Sequence, residues 1–436
     1  MLQLQHRNQR REKRATIDTE SDHDDSREWL VNLRNKDHLI RYGHEILDQS
    51  RSKIELQDDG TLIITPHFRQ YPTEIISLIV HYVVSDHQQS LYQYTLVNRQ
   101  FYTEINPLLW KSPKIHTDSA LDLFSCALMD MQSHMGHHIR ALHVTGEYWT
   151  DIYFSLVMPH LRRLEEITID DTTSITDACL RHLPRHCRHL TSLRLLQRPI
   201  SPIVCKALGQ HCHQLDHLEL ELGSDISPTI LEALEGGCPL KRISLNFAGQ
   251  ADAVSEEIIA DLSRFRFLTH LEFNKVAPTA TKQLFYLIKR LTATTTMGAT
   301  MPATAQVPTW PHLTSLSLIK CRLIEDSDLI PFLQSHPGLT EIRLGGGGQY
   351  TDESLYVMSV CLPQLTKVSL AYNQRITAEG VRRLIRNCHY LTSFTSRSCN
   401  QLSPADFPEA PDQWDEPQRV CKLHKKHMDR IRLAQW

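Results

Sequence analysis

The chain has 436 residues, 41% of them hydrophobic and 22% charged, and carries a formal net charge of −3 at pH 7. That near-neutral balance excludes a general pull toward nucleic acid or anionic lipid, so any partner has to be recognised locally. No stretch approaches the roughly 18 to 20 apolar residues of a membrane-spanning helix, and neither a nucleic-acid nor a membrane partner is expected.

The first residues, MLQLQHRNQRREKR, are polar and contain no apolar leader. With eleven cysteines downstream, this predicts reduced thiols and a cytoplasmic and/or nuclear location. Residues 1–26 lack apolar periodicity and read as a disordered tail. The basic run Arg10-Arg11-Glu12-Lys13-Arg14 fits a solvated tail better than an import signal. Residues 27–66 carry an imperfect helical pattern through Trp29, Leu33, Leu39, Ile40 and Leu47.

Residues 67–115 read as a separate helical domain. Pro72 suits a first helical turn and Glu74 complements the positive end of the dipole. Ile75, Ile76, Ile79, Val80 and Val83 then form an apolar stripe. After the polar break 85–89, Ser90 can cap a second helix with Leu91, Tyr94, Val97, Phe101 and Ile105 on one face. Leu108, Leu109 and Trp110 close the unit.

From residue 139 to residue 396 the pattern L-x-x-L-x-L occurs ten times. Its first positions are Ile139, Leu164, Leu190, Leu215, Leu240, Leu268, Leu313, Leu339, Leu365 and Leu391, spaced by 25, 26, 25, 25, 28, 45, 26, 26 and 26 residues. A fixed period of this length marks one supersecondary unit stacked on copies of itself. Links such as Ile175-Thr176-Asp177 and Ile376-Thr377 place an N-cap and a helix start at a constant offset after each strand. The predicted fold is an α/β leucine-rich-repeat solenoid over 116–402, with parallel strands on the concave face and helices on the convex face. The Thr/Ala/Pro segment 292–310 reads as an insertion, and 403–436 as a tail or capping helix. Cys187, Cys212, Cys238, Cys361 and Cys388 precede a strand leucine by two to four residues, which predicts one small buried slot per repeat.

Strand alternation aims the residues between the leucines at the open concave face. The candidate substrate-binding residues there are Glu166, Asp170, Glu219, Glu221 and Glu272 in the first half, and Arg343, Lys367 and Arg397 in the last repeats. They suggest a protein target that is basic toward the first half and acidic or phosphorylated toward the last. Unselected solvated charge is the alternative of equal weight. His211-Cys212-His213 with His217, and Cys421 with His424 and His427, lack a paired Cys-x-x-Cys frame. The run Gly345 to Gly348 lacks the Lys-Ser/Thr of a phosphate loop. No metal, cofactor or catalysis in cis is expected.

The stretch Tyr71-Pro72-Thr73-Glu74-Ile75-Ile76, followed by Leu96-Val97 and Leu109-Trp110, resembles an F-box. It departs from that pattern at Tyr71, Asn98 and Phe101, where the family has Leu, Cys and Trp. The repeats resemble the cysteine-containing leucine-rich repeats that often follow an F-box. The resemblance implies docking on a Skp-type adaptor, and through it on cullin and RING subunits, with a protein substrate held by the repeats for ubiquitin transfer. It makes Pro72, Ile75, Ile76, Ile79, Leu96, Val97 and Trp110 the docking surface or its support. The alternatives are a ligase-independent scaffold or inhibitor and a small-GTPase activator, for which no residue able to reach a nucleotide stands out.

Overall fold

A computed structural model describes residues 53–56, 62–65, 73–84, 91–97, 99–130, 135–222, 230–247, 256–276, 281–286, 288, 309–346, 348–410, 413–415 and 420–434. The expected tail 1–26 and most of the insertion 292–310 lie outside them. The chain divides into two units, Met1–Leu109 and Trp110–Trp436, so the division falls before the boundary expected after residue 115.

The first unit contains an antiparallel pair, β1 (Lys53–Leu56) and β2 (Leu62–Thr65), in the register Ile54↔Ile64. This corrects the helical reading of 27–66 over 53–56 and 62–65 only, where Ile-containing tetrads on either side of Asp59-Gly60 favour a hairpin over a helix; Trp29, Leu33, Leu39, Ile40 and Leu47 lie outside the described residues. Three helices follow, α1 (Thr73–Val84), α2 (Leu91–Tyr94) and α3 (Arg99–Lys111). Ile76 and Val80, one turn apart on α1, pack with Leu91 and Ile105, and Tyr94, Phe101, Leu108 and Leu109 close around them. The Ser77 hydroxyl donates to Glu104 Oε2 at 3.1 Å, tying α1 to α3.

The second unit opens with α4 (Asp118–Met129), whose N-cap Thr117 accepts from the Ala120 amide at 3.2 Å. Trp110 stacks on Phe124 of that helix with ring centroids 5.9 Å apart. Ten parallel strands then run in chain order. The first five are β3 (Ala141–Val144), β4 (Glu166–Ile169), β5 (Ser192–Pro199), β6 (His217–Leu222) and β7 (Arg242–Phe247). The rest are β8 (His270–Asn274), β9 (Ser315–Ile319), β10 (Glu341–Gly345), β11 (Lys367–Ala371) and β12 (Ser393–Arg397). Each pairs with the next so that the repeat triplets align, as in Leu218↔Ile243↔Leu271↔Leu316↔Ile342. β8 and β9 are direct neighbours despite the long interval between them, so the insertion leaves the ladder continuous.

Helices α5 (Asp151–Val157), α6 (Asp177–Leu180), α7 (Leu183–His186), α8 (Pro202–His211) and α9 (Glu256–Arg264) carry the chain back between the earlier strands. α10 (Asp326–Ser335), α11 (Asp352–Cys361) and α12 (Ala378–Asn387) do so between the later ones. Leucine side chains from one sheet face and from these helices form a single continuous core. The second unit is therefore a leucine-rich-repeat solenoid, with strands on its concave face and helices on its convex face.

The buried slot lies three residues before the first triplet leucine in most repeats. Cys187, Cys212 and Cys238 occupy it, and each thiol donates to the slot carbonyl of the preceding repeat: Leu161 O at 3.5 Å, Cys187 O at 3.6 Å and Cys212 O at 3.4 Å. Burial pushes these thiols up to about 12, so they stay protonated donors at neutral pH. Cys361 is a correction. It is half-exposed, and Leu362 fills its repeat's slot; Phe265, Trp310 and His336 fill three others.

The C-terminal segment is neither a bare tail nor a helix alone. β13 (Trp414–Asp415) pairs with β14 (Val420–His424), which adds antiparallel to β12, and α13 (Lys425–Leu433) follows. Val420, Cys421 and Leu423 are buried while Lys422 and His424 face outward, a largely alternating pattern that a search for helical periodicity passes over. The Arg432 guanidinium donates to the carbonyls of Ile385, Cys388 and Leu391 at 3.0, 2.7 and 3.1 Å. It thereby ends the slot ladder at Cys388.

Candidate interaction surfaces

Two surfaces present groups that their own units leave uncovered. The first is on the helical unit. α1 reads Thr-Glu-Ile-Ile-Ser-Leu-Ile-Val-His-Tyr-Val-Val, apolar on more than the one face its small core can use. Ile76 and Val80 take the interior, while Leu78 is left 66% exposed and Ile79 45% exposed. Leu96 and Val97, in the turn after α2, are 58% and 57% exposed. Tyr92 and Tyr102 are exposed as well. Large apolar side chains so concentrated in a short unit make it a candidate contact surface.

Of the residues expected at a docking surface, Ile79, Leu96 and Val97 are exposed and Ile76 is wholly interior. Ile75 lies in α1, and Pro72 falls outside the described residues. Trp110, near the end of α3, is half-buried and stacks on Phe124 of the second unit, to which it is assigned. Leu78, Tyr92 and Tyr102 were missed. The signal for Leu78 was present, because a helix apolar beyond one stripe needs more than one partner.

The second surface is the open face of the sheet. The register places its side chains in rows that cross the strands. One row reads His217, Arg242, His270, Ser315, Glu341 and Lys367; the next reads Arg194, Glu219, Ser244, Glu272, Ser317 and Arg343. Residues one repeat apart therefore touch. Arg194 Nε lies 2.7 Å from Glu219 Oε2, and Asn246 Nδ2 donates to Glu219 Oε1 at 3.3 Å. Glu341 holds Arg343 at 2.6 Å and lies 3.9 Å from Lys367.

These contacts change the charge map expected from sequence. Glu219 is already neutralised by Arg194, and the late cations Arg343 and Lys367 share one carboxylate. Asp170 closes a turn instead of reaching into the open, its Oδ1 accepting from the Asp171 amide at 2.7 Å. Glu221 is buried in its row, Glu166 is exposed, and Arg397 is exposed on β12. Lys422, on β14 opposite Thr395, adds an outward cation that sequence reasoning missed because the strand itself was missed.

Burial pushes the Glu272 carboxyl above its usual value, and the nearby Glu219 charge adds to this, while Ser317 and Arg343 oppose it. Burial pushes His217 and His270 down, with Arg194 beside the first and Arg242 beside the second acting in the same direction. The group around Cys212 diverges. Cys212 points into the slot, His213 Nδ1 meets Gly237 O at 3.0 Å, and His217 Nδ1 meets Ser192 Oγ at 3.2 Å.

No family model matches this chain. Among solved structures it is similar to a chain of the yeast Rad7–Elc1 complex, at 14% identity and a TM-score of 0.39, covering 77% of this chain and 95% of that one. It is also similar to a Bacteroides fragilis protein, at 12% identity and a TM-score of 0.36, covering 80% and 89% respectively.

Proposed function

We propose that this chain is the non-catalytic substrate-receptor subunit of an SCF-type ubiquitin ligase. In this reading the helical unit docks on a Skp-type adaptor, which links it to cullin and RING subunits, and the sheet face of the solenoid holds the target protein. The observation that carries the reading is the exposed apolar set Leu78, Ile79, Leu96 and Val97 on a short helical unit that resembles an F-box and precedes the repeats. A surface of that kind is costly to leave in water and matches an obligate partner. The cytoplasm and nucleus, where reduced thiols persist, are the proposed compartments.

Co-expression with a Skp-type adaptor, followed by affinity purification of the full chain, tests the reading. Stoichiometric adaptor with the wild type, and none with Leu78→Asp/Leu96→Asp, is the expected result. Folded wild-type protein that leaves the adaptor behind while an established F-box protein retains it ends the ligase assignment. One observation favours the alternative of a ligase-independent scaffold or inhibitor: Trp110, expected at the docking surface, instead stacks on Phe124 of the second unit. That reading predicts retention of a target without any adaptor.

A further inference from the structure

The middle of the sheet face, over β6 to β9, is built differently from its flanks. Its outward side chains form two adjacent rows, Glu219–Ser244–Glu272–Ser317 and Glu221–Asn246–Asn274–Ile319, in continuous parallel register. Four of these polar residues are more than nine-tenths buried: Ser244 is 8% exposed, Asn246 7%, Ser317 4% and Glu221 9%. Yet among the described residues Glu221 Oε2, Ser244 Oγ, Asn274 Oδ1 and Ser317 Oγ meet no hydrogen-bond partner within bonding distance. Native proteins rarely leave such atoms unmatched, because each costs its full desolvation.

All four unpartnered atoms are oxygens, and they face outward by strand alternation. Neighbouring strands are about 4.8 Å apart, so Glu219 and Glu272 stand about 10 Å apart at the backbone. The short Ser244 stands between them. Three carboxylates border it. Of the nearby cations, Arg194 is committed to Glu219, Arg343 is held by Glu341, and Arg242, in the row beyond, forms no ion pair among the described residues. His217 and His270, in that same row, are shifted toward the neutral form.

We propose that this acidic patch is a subsite for an arginine side chain of the target protein. The inference rests on the reading that the sheet face holds the target, and it adds what that target must present. The carboxylate and amide oxygens only accept and a serine hydroxyl can accept as well, so a ligand rich in donors suits the unmatched groups. A guanidinium carries five N–H donors in one plane and no acceptor, which suits oxygens spread over adjacent strands. A lysine ammonium concentrates its three donors at one point and reaches fewer of them.

The test is a randomised dodecapeptide library selected on the full chain, followed by fluorescence anisotropy of the recovered peptides. Binders with an arginine at one fixed position are expected. Replacing that arginine by alanine should weaken binding about thirtyfold, and by lysine about tenfold. The isosteric variants Glu221→Gln and Glu272→Gln, with unchanged circular dichroism, should each weaken the arginine peptide about tenfold and leave its alanine version unaffected. Recovery of no arginine-bearing binder, equal preference for lysine, or the same arginine-to-alanine loss on the doubly substituted protein overturns the proposal. No adaptor enters this assay, so its failure is separable from failure of the ligase reading.

Discussion

Asp352, the first residue of α11, accepts from both the amide and the hydroxyl of Thr377, the N-cap of α12, at 2.9 and 2.5 Å. The same clasp joins Asp151 to Thr176, and Asp326 to Thr351. Each carboxylate thus orients the start of the next repeat's helix. Thr351 and Thr377 also accept from amides of their own helices, at Glu353 and Gly380, whereas Thr176 makes the clasp alone.

The clasp reverses a familiar helix rule at Gly380. Glycine to alanine inside a helix normally stabilises by about 1 kcal/mol, but a methyl group at Gly380 would overlap the Asp352 carboxylate. Gly380→Ala should therefore destabilise by about 1 to 3 kcal/mol in urea unfolding. Asp352→Ala alone should cost about 2 kcal/mol. The double variant should be more stable than the sum of the two changes implies, and strict additivity would show that the overlap is absent.

His336 sets a pH response. It fills the slot of its repeat, stacked on Phe332 at a centroid distance of 4.2 Å, and its Nε2 has no partner. Burial pushes its pKa below the ordinary 6.5, outweighing the Phe332 carbonyl, which acts in the opposite direction. Above pH 6.5 neither folded nor unfolded chain is protonated there, and this stability is fully present. Below it the unfolded chain takes up the proton first, so stability falls by at most about 1.4 kcal/mol per pH unit until the folded histidine titrates too. Melting temperatures from pH 7.5 to 5 should decline less in His336→Phe than in the wild type. A residual slope is expected, since His217 and His270 are shifted the same way. Parallel curves would place the acid sensitivity elsewhere.

Ile76 and Leu78 lie two residues apart on α1 and should separate folding from docking. Ile76 is fully buried, so Ile76→Ala should cost the helical unit about 2 to 4 kcal/mol. Leu78→Ala should change stability by less than about 0.5 kcal/mol, yet lower adaptor recovery in pull-down at least about tenfold. A Leu78→Ala protein that retains adaptor at wild-type level would take this side chain out of the docking surface.

The triplet spacing made the ten parallel strands legible, because every interval near 25 residues had to return the chain to the same edge. The same spacing held the charge pairing within reach: Arg194 and Glu219 are one repeat apart and therefore neighbours. Reading each strand by itself counted Glu219 as an open charge and left Arg194 out. The antiparallel additions were less legible, since β1–β2 and β13–β14 are too short to repeat and only their local alternation marks them. Exposure on α1 depends on which apolar face the small core selects. Sequence identifies the stripe but not the surplus beside it.

Arg432 tests whether the C-terminal strand and helix are part of the stack or merely appended to it. Within the array, a slot thiol satisfies the carbonyl of the preceding repeat, and at Cys388 no further repeat follows to do so. The Arg432 guanidinium takes that place and reaches two further carbonyls, while Asp429 holds its remaining arm at 2.7 Å. Arg432→Met keeps the apolar stem but removes every donor, and should cost about 2 to 3 kcal/mol. Because a solenoid is coupled only to its nearest neighbours, the loss should be local. Hydrogen exchange should quicken in β14, α13 and β12 and stay unchanged in β4 to β6. Once β14 detaches, the bare edge of β12 can pair with another copy, so concentration-dependent association should accompany the exchange. Uniform acceleration along the whole array, or none at β12, would mean that the cap does not hold the end of the ladder.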